Sequence, residues 1–211
     1  MFTNNYWNER AKKSGKSLKT VMKRSLPDSI NRYFDKDQKK LISSIVGSNN
    51  LLLEVGCGYG RLLRVLEDSN RSIGVDFSKE MLLHARNNIN SCLILAKGNK
   101  LPFKNNSFDC VLCVTVLIHI LNFDEIKEVL NEMDDILKDG GILVIGEMGY
   151  ISYLVQKILL RLGIAKHAMA LDPARLKSEI QGMGYSIIKT AENGVFPMDV
   201  YFIVARKRGS N

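Results

Sequence analysis

Gly56, Gly58 and Gly60 alternate directly after the apolar run Leu51-Leu52-Leu53-Glu54-Val55, and Asp76 closes the next apolar run. Glycines at that spacing let a buried strand turn sharply into a helix and let the backbone approach a ligand closely. An acid at the tip of a second parallel strand can accept both hydroxyls of a ribose. The combination predicts a nucleoside-bearing cofactor. Two residues further on are candidate catalytic groups. His119 follows the apolar run 108–114 and could take a proton from an acceptor oxygen or nitrogen, because imidazole titrates near neutral pH; the alternative is a structural histidine behind the cofactor loop. Glu147, at the tip of a later apolar run, is a second candidate base or acceptor contact, the alternative being a solvent-facing cap.

The glycine spacing separates two cofactors. A dinucleotide binder needs a third small residue five positions after the first glycine, so that helix and strand pack closely over a pyrophosphate. Arg61 stands there. The Gly-x-Gly-x-Gly run behind Glu54 instead resembles the class I S-adenosylmethionine-dependent methyltransferases. That resemblance implies that Gly56, Cys57, Gly58 and Gly60 pass under the methionine part of S-adenosylmethionine, with Glu54 favouring its ammonium end. Gly98-Asn99-Lys100-Leu101-Pro102-Phe103 resembles the adenine-binding turn of the same family. An acid usually stands at the position of Asn99, whose carbonyl oxygen can accept the same hydrogen bond. Lys100 and Leu101 would meet the ring edge and face, Phe77 and Met81 would wall the adenine side, and Thr115 would lie beside the cofactor on the open face of the sheet. Tyr6-Trp7-Asn8-Glu9-Arg10-Ala11 resembles the aromatic opening that small members fold over the cofactor, where Tyr6 or Trp7 would exclude water from the acceptor.

To position these residues, short apolar runs must alternate with helical periods. Strands are predicted over 51–55, 72–76, 92–96, 108–114 and 141–147, with helices over about 60–68, 79–89 and 124–138. Gly140-Gly141 marks the exit from the last of these helices. The alternation gives an α/β doubly wound, mostly parallel sheet. After a helix beginning near Pro173, the runs 185–191 and 200–206, joined by a turn at Asn193-Gly194 to Pro197, read as an antiparallel hairpin. The family closes its sheet in this way, which implies seven strands in the order 3-2-1-4-5-7-6. The chain reads as one domain: an N-terminal helical cap over 1–47, a cofactor-binding core over 48–147, a substrate-side insert over 148–172, and a C-terminal helix and hairpin over 173–208. In the insert, Ile151, Leu154, Val155, Ile158, Leu159 and Leu162 share one helical face. That spacing reads as an ordinary core-facing helix, with a lid over an apolar substrate or a membrane-touching element as the alternative. Twelve residues are too few to span a bilayer.

The 211-residue chain carries a net charge of +8, and residues 1–40 hold eleven Lys or Arg against four Asp or Glu. This basic head reads as a solvated face, or as an attractor of nucleic acid, a membrane surface or an anionic substrate. No secretory signal pattern and no long apolar span is present, so a cytoplasmic location is expected. Cys57, Cys92, Cys110 and Cys113 sit in or beside apolar strand-like runs as small hydrophobes. Cys110 and Cys113 point to opposite faces of a strand, so no disulfide is expected, and no metal. The expected function is methyl transfer from S-adenosylmethionine to a small-molecule acceptor, apolar or lipid-like. A cofactor-binding accessory protein, or a methyltransferase of RNA or a ribosome-associated substrate, stands as the alternative.

Overall fold

The computed structural model describes residues 4–15, 17–21, 27–163, 171–193 and 199–209. Five parallel strands, β1 (Leu51–Val55), β2 (Arg71–Asp76), β3 (Cys92–Leu95), β4 (Phe108–Val114) and β5 (Leu137–Met148), form most of the sheet. A hairpin of β6 (Tyr185–Asn193) and β7 (Val200–Lys207) completes it, β7 running antiparallel to β5. The order is β3-β2-β1-β4-β5-β7-β6. The chain reverses direction across the sheet between β1 and β4, and a crevice opens at the carboxyl ends of those strands. The predicted hairpin turn falls mostly at 194–198, outside the described residues.

Side chains alternate between two layers. Leu53, Val111 and Cys113 face α5 (Phe123–Ile136) and α7 (Pro173–Gly182), whereas Leu52, Cys110 and Leu112 face α2 (Asp28–Val46), α3 (Leu63–Leu66) and α4 (Lys79–Arg86). Both faces are thus buried, which is why β1 and β4 read as continuous apolar runs. It also puts Cys110 and Cys113 in different layers.

Several boundaries differ from the sequence reading, two of them with a visible cause. The helix expected from about residue 60 begins at Leu63, because the glycine loop continues through Gly60 in the left-handed region. The helix expected to reach residue 138 ends at Ile136, and Leu137 already pairs with Phe108. Its last carbonyls find partners from outside the helix: Asn106 N–H donates to Asp135, Ser107 N–H to Ile136, and Lys207 Nζ to Asp134 and Leu137. Gly140-Gly141 therefore lies in an irregular stretch within β5 rather than at the helix exit.

An N-terminal helix, α1 (Asn4–Ser14), docks on α4 through Asn8. Its Oδ1 accepts from Ser78 Oγ at 2.6 Å and from Glu80 N–H at 3.3 Å, at the N-terminal end of α4 that Ser78 itself caps. Helix α6 (Tyr150–Arg161) leaves the carboxyl end of β5.

Candidate functional site

Burial of β1 and β2 fixes the ends from which the site is built. Gly56 N–H and Cys57 N–H both donate to Val75 O, tying the first turn of the loop to β2. Gly56, Gly58 and Gly60 have φ of 75°, 55° and 80°, a left-handed series that side-chain-bearing residues adopt only under strain. Asp76 holds the loop from the other side: its Oδ2 accepts Gly58 N–H and its Oδ1 accepts Ser78 N–H, each at 2.8 Å. Burial raises the Asp76 carboxyl to about pH 6, against the pull of these amides.

A cavity of about 180 Å³ opens over this loop. Of the residues singled out from sequence, Glu54, Gly56, Cys57, Gly58 and Asp76 line its floor, Phe77, Met81 and Asn99 one wall, and Thr115, His119 and Trp7 the other side. Gly60, Lys100, Leu101, Tyr6 and Glu147 are not among its lining residues. Gly60 packs its backbone against Ile89, and Leu101 is buried with its N–H donated to Glu132. Lys100 is exposed, as is Tyr6, whose ring meets Trp7 edge-on and whose hydroxyl accepts from Arg10.

Glu54 is buried against the cavity with Oε2 lacking any hydrogen-bond partner. Burial lifts its carboxyl to about pH 8, with Arg61 pulling down and Asp76 pushing up. Asn99 donates Nδ2–H to Glu128 at 2.9 Å, so the amide is held with its carbonyl oxygen as the remaining acceptor. Thr115 has a φ of 55°, a costly conformation for a β-branched residue, and its N–H donates to Gly146 O at 2.6 Å.

The opposite wall rests on a short 3-10 turn, Leu117–His119. Glu147 builds that turn: its Oε1 accepts Val116 N–H at 3.0 Å and Leu117 N–H at 2.8 Å. The carboxyl is buried and raised to about pH 8 by that burial. His119 stacks edge-on against Trp7 with ring centroids 5.0 Å apart. Burial first, and then the nearby Arg10 guanidinium, lower its imidazole to about pH 4, so the ring is neutral across the physiological range. Arg10 lies 5.2 Å over the Trp7 ring and steadies it by a cation–π contact.

Sequence reasoning missed Arg61 as part of the site. It lines the cavity, is itself buried, and pairs Nη1 with Asp35 Oδ1 at 3.0 Å while Nη2 donates to Gln38. A charged residue between Gly60 and the apolar Leu62-Leu63 was the available signal, since a guanidinium in a buried run requires a partner. Val21, Val116, Ile120 and Glu125 also line the cavity.

The family profile of a methyltransferase domain matches residues 53–145, the stretch that carries the glycine loop, Asp76, Asn99 and His119. Residues 53–145 carry a methyltransferase domain. An uncharacterised protein of Methanocaldococcus jannaschii is 31% identical over 131 residues, 61% of this chain and 50% of that protein. "Probable tRNA methyltransferase 9B" of Mus musculus is 29% identical over 115 residues, 54% of this chain and 23% of that one. The chain thus spans half or less of the length of these curated relatives. The fold matches the crystal structure of magnesium protoporphyrin IX methyltransferase from Synechocystis with S-adenosylhomocysteine bound, at a TM-score of 0.77 and 16% identity, covering 97% of each chain.

The residues of the methyltransferase domain fit the family's cofactor. The buried Glu54 Oε2 has no hydrogen-bond partner at the cavity that Glu54 lines, and the glycine loop leaves backbone facing the cavity where side chains would fill the floor. Asp76 and Asn99 present acceptors on the same cavity.

Proposed function

We propose that the protein transfers the methyl group of S-adenosylmethionine to a small acceptor with an apolar body, seated between Trp7, Ile120 and His119. The observation that carries this reading is the cavity: one continuous space joins the glycine loop and Asp76 to a wall made of Trp7, Val116, His119 and Ile120. When bound, the sulfonium supplies an activated methyl group, so placement is the main catalytic requirement. In this reading Glu54 holds the ammonium, Asp76 the ribose hydroxyls and Asn99 the adenine amino group, with Phe77 and Met81 against the ring. Trp7, fixed by Arg10, closes the acceptor side to water. His119, neutral because of burial, accepts the acceptor's proton as the methyl group arrives. Glu147 positions the Leu117–His119 turn through Val116 and Leu117 and takes no proton from the acceptor.

Labelled-methyl transfer into fractionated cell extract tests the reading. Label is expected in a small-molecule fraction that ribonuclease leaves intact. In the same assay His119→Asn is expected to lower turnover by about two orders of magnitude, the usual worth of a positioned general base, while S-adenosylhomocysteine still binds. Label recovered in RNA would favour the second reading, a nucleic-acid acceptor, which the basic head and the similarity to the mouse protein support. Binding of the cofactor without transfer into any fraction would favour an accessory role.

A further inference from the structure

The apolar face of α6 points away from the protein. Its periodicity predicted a core-facing helix, yet Ile151, Leu154, Ile158 and Leu162 are 55%, 41%, 56% and 65% exposed. These residues fall within one stripe less than a quarter turn to either side of its centre, at about 100° per residue. The inward side is instead anchored by polar contacts. The Asp199 carboxylate accepts Ser152 N–H at 3.2 Å and the Ser152 hydroxyl, and Gly149 N–H donates to Asp199 O at 2.9 Å. A Cβ on Gly149 would collide with that carboxylate, so the glycine permits the anchor. Tyr153 is buried beside them, its hydroxyl 3.4 Å from Asp172. Ser152, Tyr153 and Asp199 thus set the rotation of α6 and hold its apolar stripe outward. Scattered exposed leucines are ordinary; four in one stripe on one helix are not.

We propose that α6 is an interfacial helix that seats the protein on an anionic lipid membrane. Charge complementarity selects this occupant. Arg161 borders one side of the stripe, with Lys157 beside it, its Nζ 3.4 Å from the Tyr153 hydroxyl; Tyr150–Arg161 contains no acid, and the whole chain carries +8. Basic residues beside an apolar stripe are what a helix lying in the headgroup region of an acidic leaflet requires. At twelve residues, about 18 Å, α6 can lie in the interface and cannot cross it. Among the described residues no helix is long and apolar enough to cross a membrane. Because α6 leaves the carboxyl end of β5, the stripe sits at the end of the sheet where the cavity opens. The seating stands apart from the proposed methyl transfer; only its consequence, access to an acceptor dissolved in lipid, rests on that reading.

Co-sedimentation of the full chain with vesicles tests the proposal, using phosphatidylcholine alone and phosphatidylcholine with about 30% phosphatidylglycerol. The protein is expected to pellet with the anionic vesicles, and less so as salt is raised toward about 0.5 M. Leu154→Glu with Ile158→Glu is expected to weaken binding by at least about tenfold, since two side chains that would enter the interface become charged. Lys157→Gln with Arg161→Gln should weaken it by less and reduce its salt dependence. Both pairs lie on the exposed surface, so an unchanged thermal melt confirms folding. Failure to pellet with anionic vesicles, or equal binding by the Leu154/Ile158 variant, overturns the proposal. So does a dimer in sedimentation analysis that the same variant dissolves while vesicles leave the protein in solution. S-adenosylhomocysteine binding, titrated in the same preparations, reports on the methyltransferase reading separately: its absence beside intact vesicle binding would sink that reading and leave this one standing.

Discussion

Asp76→Ala is expected to weaken S-adenosylhomocysteine binding by about a hundredfold or more, because two charge-assisted hydrogen bonds to the ribose, each worth roughly 1.5–3 kcal/mol, disappear together. The loss is compounded in the free protein. Gly58 N–H and Ser78 N–H both lose their acceptor, so the glycine loop is no longer held against β2. Asp76→Asn should be milder, since its carbonyl oxygen can still take one of those amides. The same residue gives a pH signature. Its carboxyl titrates near pH 6 in the free protein, and the ionised form is the one that binds hydroxyls, so affinity should fall as pH drops through about 6. The sign for the fold is opposite: a raised carboxyl contributes its stability fully below the ordinary value of 3.8 and loses it as pH rises through about 6. Calorimetric titration from pH 5 to 8 reads the first effect. An alanine variant that binds within a few-fold of the parent would remove Asp76 from the cofactor site.

Arg61→Met is expected to be the most damaging single change to the fold. It leaves the Asp35 carboxylate buried with one remaining partner, Lys39 at 2.7 Å, and Gln38 without its donor. Removing one member of a buried pair commonly costs 3–5 kcal/mol; with Lys39 in place about 2–4 kcal/mol is expected, or a fall in Tm of roughly 5–10 °C for a chain of this size. Cofactor affinity should fall with it, because Arg61 ties the glycine loop to α2 and lines the cavity. Replacing both partners, Arg61→Met with Asp35→Leu, should recover part of the lost stability, since no buried charge is then stranded. Thermal denaturation of the three proteins checks this. A shift below about 2 °C for Arg61→Met would mean that the pair behaves as an exposed bridge.

The parts of the site that sequence could reveal are those specified by residue type at short range. Gly56, Gly58 and Gly60 need their left-handed backbone, and Asp76 ends a strand whose apolar run is unmistakable. The strand order came through a family resemblance carried by those motifs, and the sheet has it. Features fixed by distant partners were not legible. The end of α5 is set by Lys207, about 70 residues on, and Arg61 finds Asp35 26 residues back. Glu147 sits at a strand tip, as sequence predicted, but its orientation toward the Val116 and Leu117 amides depends on how the following turn folds back. Periodicity showed that α6 has an apolar face; Ser152, Tyr153 and Asp199 decide which way that face looks. In each case the residues were visible and the partner was not.

Calorimetric titration of the full chain with S-adenosylhomocysteine and, in parallel, with NAD decides whether the Gly56–Gly60 loop, Glu54 and Asp76 hold S-adenosylmethionine. Saturable one-to-one binding of S-adenosylhomocysteine is predicted, with no measurable heat from NAD because Arg61 occupies the place where a pyrophosphate binder needs a small residue. No binding of S-adenosylhomocysteine, or preferential binding of NAD, would mean that this loop serves another ligand.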